Sequence, residues 1–336
     1  VVYVASDSKL TRFVLAFGIA AVTLSILTFH AVYYLPFISD DACISLRYSK
    51  RLLQGRGLTW NDGEYVEGYS NLLWVLGAAF FGFLGLDLIH AVRIMGYFGV
   101  AASILAVIYR YMPSKLSDTP PALFGALTIA LSGSVAVWTF GGLESGLVAG
   151  LLAWATVLSY PLLTREYVSV KHAQLPGLFF ALLCITRSDG FLFTASAVLA
   201  ILLVKGLRRR TFVMLAGLIL LPALFCLIQH AFRLAYYGEL LPNTAVLKAF
   251  LSERHFIHGL SYMKKGVLAH SYLLALMVIP AIVCFKDNDA RKILTLLVVS
   301  SLLWVCHVIV IGGDNLTFFR HFIPLIVFMG LLLAEG

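Results

Sequence analysis

The chain has 336 residues, of which 60% are hydrophobic and 12% charged, with a formal net charge of +8. Ordinary soluble domains carry about 25% charged residues, so this composition, with a mean hydropathy of +0.92, excludes a soluble globular fold and indicates a polytopic helical membrane protein. The basic residues cluster in short loops between apolar runs without an aromatic-basic motif, which excludes nucleic-acid binding and reads instead as membrane topology.

Apolar stretches recur near 13–36, 69–86, 92–111, 119–138, 143–162, 175–186, 190–207, 211–235, 267–285, 292–311 and 321–334. About 20 apolar residues cross a hydrocarbon core. The first run is too long and too weakly terminated for a cleaved signal peptide. The gaps at 110–118, 164–172, 205–210 and 286–292 carry Arg110, Lys115, Arg165, Lys171, Lys205, Arg208, Arg209, Arg210, Lys286, Arg291 and Lys292. Together with Lys9 and Arg12 these should all face the cytoplasm. That holds only if one stretch fails to cross. Segment 69–86, with Gly77, Gly82 and Gly85, is therefore expected to lie along the outer face, leaving about ten transmembrane helices. The polar breaks holding Asp40, Asp41, Glu67, Glu144, Asp189, Glu239 and Asp314 then all open to the outside.

Ser39-Asp40-Asp41 follows the first span directly. A carboxylate facing lipid at that depth costs about 3 kcal/mol or more, so two in a row indicate a water-accessible site. The pair is also of the type that caps a helix. Segment 42–54 has Arg47, Lys50, Arg51 and Gln54 at i, i+3, i+4, i+7 spacing, with Ile44, Tyr48, Leu52 and Leu53 on an apolar side, which predicts a helix on the membrane surface. Gly55-Arg56-Gly57 ends it, and Asn61-Asp62-Gly63 has turn chemistry. The five cysteines, Cys43, Cys184, Cys226, Cys284 and Cys306, have no CxxC or Cys/His metal spacing, and four lie in apolar runs as small core residues. His255, His258 and His270 show no ligand spacing either.

The stretch 40–48 (Asp-Asp-Ala-Cys-Ile-Ser-Leu-Arg-Tyr), then 55–61 (Gly-Arg-Gly-Leu-Thr-Trp-Asn) and 67–74 (Glu-Gly-Tyr-Ser-Asn-Leu-Leu-Trp), resembles the first outer loop of GT-C fold membrane glycosyltransferases. The likeness is to the arabinofuranosyltransferase branch typified by mycobacterial cell-wall enzymes. It continues through 138–144 (Trp-Thr-Phe-Gly-Gly-Leu-Glu), 186–190 (Thr-Arg-Ser-Asp-Gly), 233–244 (Arg-Leu-Ala-Tyr-Tyr-Gly-Glu-Leu-Leu-Pro-Asn-Thr), and Gly313-Asp314 followed by Phe319-Arg320. The family commonly has Phe or Tyr where Cys43 stands and Pro-Glu where Ser188-Asp189 stands.

The resemblance implies an all-α polytopic GT-C-type helical bundle with outer-face juxtamembrane helices over residues 1–336. Residues 38–91 would form the first outer, periplasmic loop, and a C-terminal soluble domain is expected from the family beyond this chain. It implies a glycosyltransferase in a bacterial inner (plasma) membrane, multi-pass, with its active site on the periplasmic face. Its donor would be a polyprenyl-phosphate sugar, arabinofuranose in this branch, and its acceptor a glycan, lipid or protein. The same fold with a hexose or aminosugar donor is an alternative, as is a flippase or transporter of lipid-linked saccharides. A transporter, however, would collect its ionisable groups near mid-bilayer rather than at one face.

The chemistry needs a base for the acceptor hydroxyl and cations for the departing phosphate. Asp40 is the favoured base, with Asp41 binding acceptor or steadying the loop. Arg187, Lys248, Arg320 and Arg47 are candidate phosphate ligands, the alternative being interfacial anchors. Glu144, Asp189, Asn243, Asp314 and Glu67 are candidates for sugar or acceptor hydroxyls, with Tyr69 and Trp60 as stacking surfaces. A divalent cation between the aspartates and the phosphate is compatible with some GT-C enzymes; its ligands are not assigned.

Overall fold

A computed structural model describes residues 5–243 and 253–336, and every regular element among these residues is helical. The elements are α1 (Ala5–Val32), α2 (Asp40–Leu53), α3 (Leu72–Phe83), α4 (Leu88–Arg110), α5 (Thr119–Ala130), α6 (Gly133–Phe140), α7 (Ser145–Thr164), α8 (Val170–Thr186), α9 (Phe191–Lys205), α10 (Arg209–Tyr237), α11 (Glu253–Ala269), α12 (Ser271–Leu276), α13 (Val278–Cys284), α14 (Asn288–Val310) and α15 (Ile323–Glu335), with short 3-10 turns at Leu116–Asp118 and Arg320–Phe322.

Among the described residues five helices are long and apolar enough to cross a membrane: Lys9–Val32 within α1, then α4, α7, α10 and α14. Two bent pairs raise the number to seven if each is one span: Leu116–Ala130 with α6 at 60°, and α11 with Ser271–Cys284 at 68°. The ten spans expected are therefore not reached on length. The apolar runs become shorter helices because polar or turn residues interrupt them: Ser132 accepts the Val135 N–H and starts α6 anew, and His270 divides α11 from α12. Helices α8 and α9 are apolar but only 17 and 15 residues long. Helix α3, at 12 residues, extends about 18 Å at 1.5 Å per residue, too short for a roughly 30 Å core.

Lipid tails are as apolar as leucine, so helix association depends on close backbone approach at small residues. Helices α4 and α7 meet in this way. A Cβ added at Gly99 would sit 2.4 Å from the Gly146 carbonyl oxygen, and one at Gly146 would sit 2.4 Å from that of Gly96. Helices α8 and α10 meet similarly at Gly177 and Gly217. Trp74, Trp138 and Trp304 are fully buried in the resulting core.

Helix α2 forms where amphipathic spacing predicts, but two residues earlier, so Asp40 and Asp41 occupy its first turn while Ser39 stands at the cap without a side-chain bond. The broad polar stripe is also corrected. Arg47, Lys50 and Gln54 are exposed, whereas Arg51 turns inward and donates to Thr59 Oγ1 at 3.0 Å and to Asp62 Oδ1 at 2.6 Å. Ser49 Oγ donates to the Val75 carbonyl at 2.9 Å and docks α2 on α3.

Candidate active site

The entry to α2 is pinned against the turn between α6 and α7. The Ser39 N–H donates to the Gly141 carbonyl at 3.0 Å, and Trp74 Nε1 donates to that of Gly142, also at 3.0 Å. Gly142 adopts φ +87°, and a Cβ there would lie 2.8 Å from the Ala42 Cβ, so a glycine is required both for its conformation and for the approach of α2. This junction brings the first turn of α2 to the rim of a cavity of about 740 Å³ that Glu144 also lines.

Asp41, Ser45, Tyr69 and Asn71 line that cavity from the segment between α1 and α4. Glu144, Arg187, Asp189, Gln229, Arg233, His307, Arg320 and His321 line it from the later elements. A continuous hydrogen-bonded network crosses the wall. Ser45 Oγ donates to Asn71 Oδ1 at 3.0 Å, Asn71 Nδ2 donates to Glu144 Oε2 at 2.8 Å, and Arg187 Nη1 donates to Glu144 Oε1 at 2.8 Å. Arg187 then holds Asp189 by two bonds, Nε to Oδ1 at 2.8 Å and Nη2 to Oδ2 at 2.7 Å. His307 Nε2 lies 3.1 Å from the same Oδ2. Burial alone would push the Asp189 carboxyl up, but the Arg187 guanidinium and His307 hold it well below the usual carboxylate range.

A second Asp–Arg–His group stands in the loop after α14. Arg320 Nε donates to Asp314, whose Oδ1 accepts the Leu316 N–H at 3.2 Å, and His321 Nε2 lies 3.7 Å from Asp314 Oδ2. The adjoining Phe318 and Phe319 have φ of +62° and +50°, a conformation that side chains of this bulk seldom adopt. Aromatic contacts of Phe318 with Tyr34 and Phe37, and of Phe319 with Tyr262 and Phe322, hold both rings.

The structure brings together only some of the sequence candidates. Asp41, Glu144, Asp189, Arg187, Arg320 and Tyr69 line the cavity; Asp40 does not. Asp40 is exposed, and its Oδ1 accepts the Asp41 N–H at 2.9 Å. Arg47 fastens the loop after α2, donating to the Trp60 carbonyl at 2.9 Å and Asn61 Oδ1 at 3.1 Å with its guanidinium 4.7 Å from the Trp60 ring centre. Trp60 thus lies beside a smaller groove with Tyr48 and Glu64. Glu67 is buried and pairs with Arg233 Nε at 2.7 Å, while its carbonyl accepts the Asn243 N–H at 3.1 Å. Burial outweighs that pairing and raises the Glu67 carboxyl above its ordinary value. Tyr69 OH lies 3.1 Å from Tyr237 OH. Lys248 lies outside the described residues.

Sequence reasoning missed Asn71, His307, Gln229 and Arg233 as cavity residues. His307, Gln229 and Arg233 carry a legible signal, being polar side chains inside otherwise apolar runs. Cys184 and Cys226 also line the cavity. Among the described residues no three His, Cys, Asp or Glu side chains come together as a metal-ligand set.

No family model matches the chain. It is 31% identical over 228 residues to the terminal beta-(1->2)-arabinofuranosyltransferase of Mycobacterium tuberculosis, covering 63% of this chain and 35% of that protein. It is 25% identical over 349 residues to the terminal beta-(1->2)-arabinofuranosyltransferase of Corynebacterium glutamicum, covering 88% of this chain and 47% of that protein. The chain thus spans less than half the length of these two curated relatives. Both carry the name of the branch to which the aspartate loop and the Tyr-Tyr-Gly segment point, and the chain is a multi-span helical membrane protein similar to terminal arabinofuranosyltransferases.

Proposed function

We propose that this chain carries the transfer site of a membrane glycosyltransferase that moves an arabinofuranosyl unit from a polyprenyl phosphate to a glycan, lipid or protein acceptor on the outer face of the inner membrane. One observation carries the reading: a cavity with Asp41 at its rim and the hydrogen-bonded Glu144–Arg187–Asp189 network in its wall. In the proposed step the acceptor hydroxyl oxygen bonds to the anomeric carbon as the bond from that carbon to the phosphate oxygen breaks. The electron pair of the broken bond departs with the polyprenyl phosphate, and the hydroxyl proton passes to a carboxylate. Asp41 is the base in this reading because it lines the cavity and Asp40 does not. Ser45 and Asn71 hold Glu144 on one side and Arg187 holds it on the other, so its oxygens are fixed acceptors for sugar hydroxyls.

The orientation follows from the charged loops. With 110–118, 164–172, 205–210 and 286–292 in the cytoplasm, the cavity opens outward, where a lipid-linked donor would present its sugar. The test is transfer by the purified full chain from a synthetic polyprenyl-phosphate arabinofuranose to an arabinose oligosaccharide. General-base loss typically costs about 100-fold or more, so Asp41→Asn should fall by that much while Asp40→Asn stays within about tenfold. Full transfer by Asp41→Asn would overturn the assignment.

A further inference from the structure

Two donors on the cavity wall have no partner. Gln229 is 5% exposed and its Nε2 makes no hydrogen bond. One turn later Arg233 is 3% exposed; its Nε is held by Glu67, and its Nη2 makes no hydrogen bond. Residues four apart share a helix face, and both line the cavity. Buried donors are almost always paired in native proteins, because leaving one unpaired costs free energy without return. Two such groups on one turn of α10 therefore indicate an absent acceptor.

Of the other cations proposed for phosphate, Arg320 is bound through its Nε to Asp314, Lys248 lies outside the described residues, and Arg187 and Arg47 are committed to protein partners. All three nitrogens of Arg187 donate to Glu144 and Asp189. Arg47 is committed to Trp60 and Asn61 and does not line the cavity. Arg233 keeps part of its fork available beside an amide donor, and a guanidinium fork matches phosphate oxygens. The same stretch of α10 presents Leu227, Ile228 and Leu234, all exposed apolar side chains, away from the core. A lipid chain lying along that exposed face would bring its headgroup to the level of Gln229 and Arg233.

We infer that Gln229 and Arg233 form the phosphate-binding subsite for a lipid-linked donor, with Gln229 Nε2 and Arg233 Nη2 donating to phosphate oxygens while Glu67 fixes the guanidinium. This rests on the reading of the cavity as a lipid-phosphate-dependent transfer site. It replaces Arg187 as the anion ligand and makes that residue a positioning group for Glu144 and Asp189.

Farnesyl phosphate binding to the full chain in phosphatidylcholine nanodiscs tests it, with farnesol as the uncharged control. Gln229→Leu should weaken farnesyl phosphate at least fivefold and leave farnesol unchanged. The same substitution removes an unpaired buried donor, so it should also hold or raise the Tm; a purely structural glutamine would lower Tm and leave binding alone. Arg233→Lys, which keeps a charge for Glu67, should weaken binding at least tenfold. Inorganic phosphate should compete only at millimolar levels, and nanodiscs containing phosphatidylglycerol should leave the affinity unchanged. Wild-type affinity in both variants, or displacement by phosphatidylglycerol, would overturn the subsite. Binding is read without sugar transfer, so loss of the transferase reading with Gln229-dependent binding intact would leave the subsite standing. Transfer with unchanged KM in Gln229→Leu would overturn the subsite alone.

Discussion

Arg187 Nη1 meets Glu144 Oε1 at 2.8 Å across 43 positions of sequence, while the other two nitrogens of the same guanidinium hold Asp189. One cation thus neutralises two carboxylates, the buried Glu144 at the start of α7 and the half-buried Asp189 just after α8. Removing it leaves Glu144 with Asn71 and Asp189 with His307, and neither with its countercharge from the guanidinium. Breaking one side of a buried ion pair costs about 3–5 kcal/mol, so Arg187→Met should lower Tm by several degrees or abolish monodisperse protein. Arg187→Lys keeps a charge but loses the bidentate geometry and should fall between. Thermal unfolding in detergent decides this, and a wild-type Tm for Arg187→Met would show that the network carries no stability.

Glu67 and Asp189 should give stability opposite dependences on pH. The Glu67 carboxyl is raised above its unfolded value by burial. Its contribution is therefore fully present below the ordinary glutamate pKa and is lost as pH rises through the raised folded value. Asp189 is held well below its unfolded value, so its contribution is present above the ordinary aspartate pKa and is lost only in more acid solution. On the alkaline side of the ordinary glutamate pKa only Glu67 of these two changes state. Glu67→Gln should flatten the decline of Tm over that window. An unchanged Tm–pH slope in the variant would show that another group sets it.

Much of this arrangement is written locally in the sequence. The presence of α2, the shortness of α3 and the membership of Asp41, Glu144, Asp189 and Arg320 in one region follow from amphipathic spacing, glycine content and the one-sided placement of polar breaks. Three features depend instead on contacts remote in sequence. Arg51 continues the polar stripe of α2 on spacing alone, yet it turns inward because Thr59 and Asp62 fold back to meet it. The choice of Asp41 over Asp40 as a cavity residue depends on how α2 is rotated by the Gly142–Ala42 contact. Arg187 and Arg233 look equivalent in sequence, and only their partners distinguish an anchored guanidinium from one with an unpaired nitrogen.

The glycine contacts between α4 and α7 should tolerate no side chain. A Cβ at Gly146 would meet the Gly96 carbonyl oxygen at 2.4 Å, and backbone there has no room to yield. Overpacking typically costs about 1–3 kcal/mol and more where backbone must shift. Gly146→Val should therefore lower Tm markedly or yield aggregated protein on size exclusion. Gly18, where a Cβ meets nothing within 4 Å, supplies the control, and Gly18→Val should behave as wild type. Equal behaviour of the two variants would rule out the close helix contact.

The loop after α2 should depend on Arg51 more than on its neighbour Lys50. Arg51 is buried and joins α2 to both Thr59 and Asp62, whereas Lys50 is exposed. Asp62 is itself held below its ordinary pKa, first by the hydrogen bond from Arg51. Tyr48 OH and Tyr236 OH tie down the same loop, at the Val66 carbonyl and the Leu58 N–H, so losing Arg51 should loosen its tip without unfolding the bundle. A glutamate-specific protease reads this at Glu64, which is exposed at that tip. Cleavage there should be several-fold faster in Arg51→Met than in wild type, with Tm little changed, and unaltered in Lys50→Met. If both variants are cut at the wild-type rate, the Arg51 clamp does not order the loop, and the position of Asp41 relies on the Gly141–Gly142 junction alone.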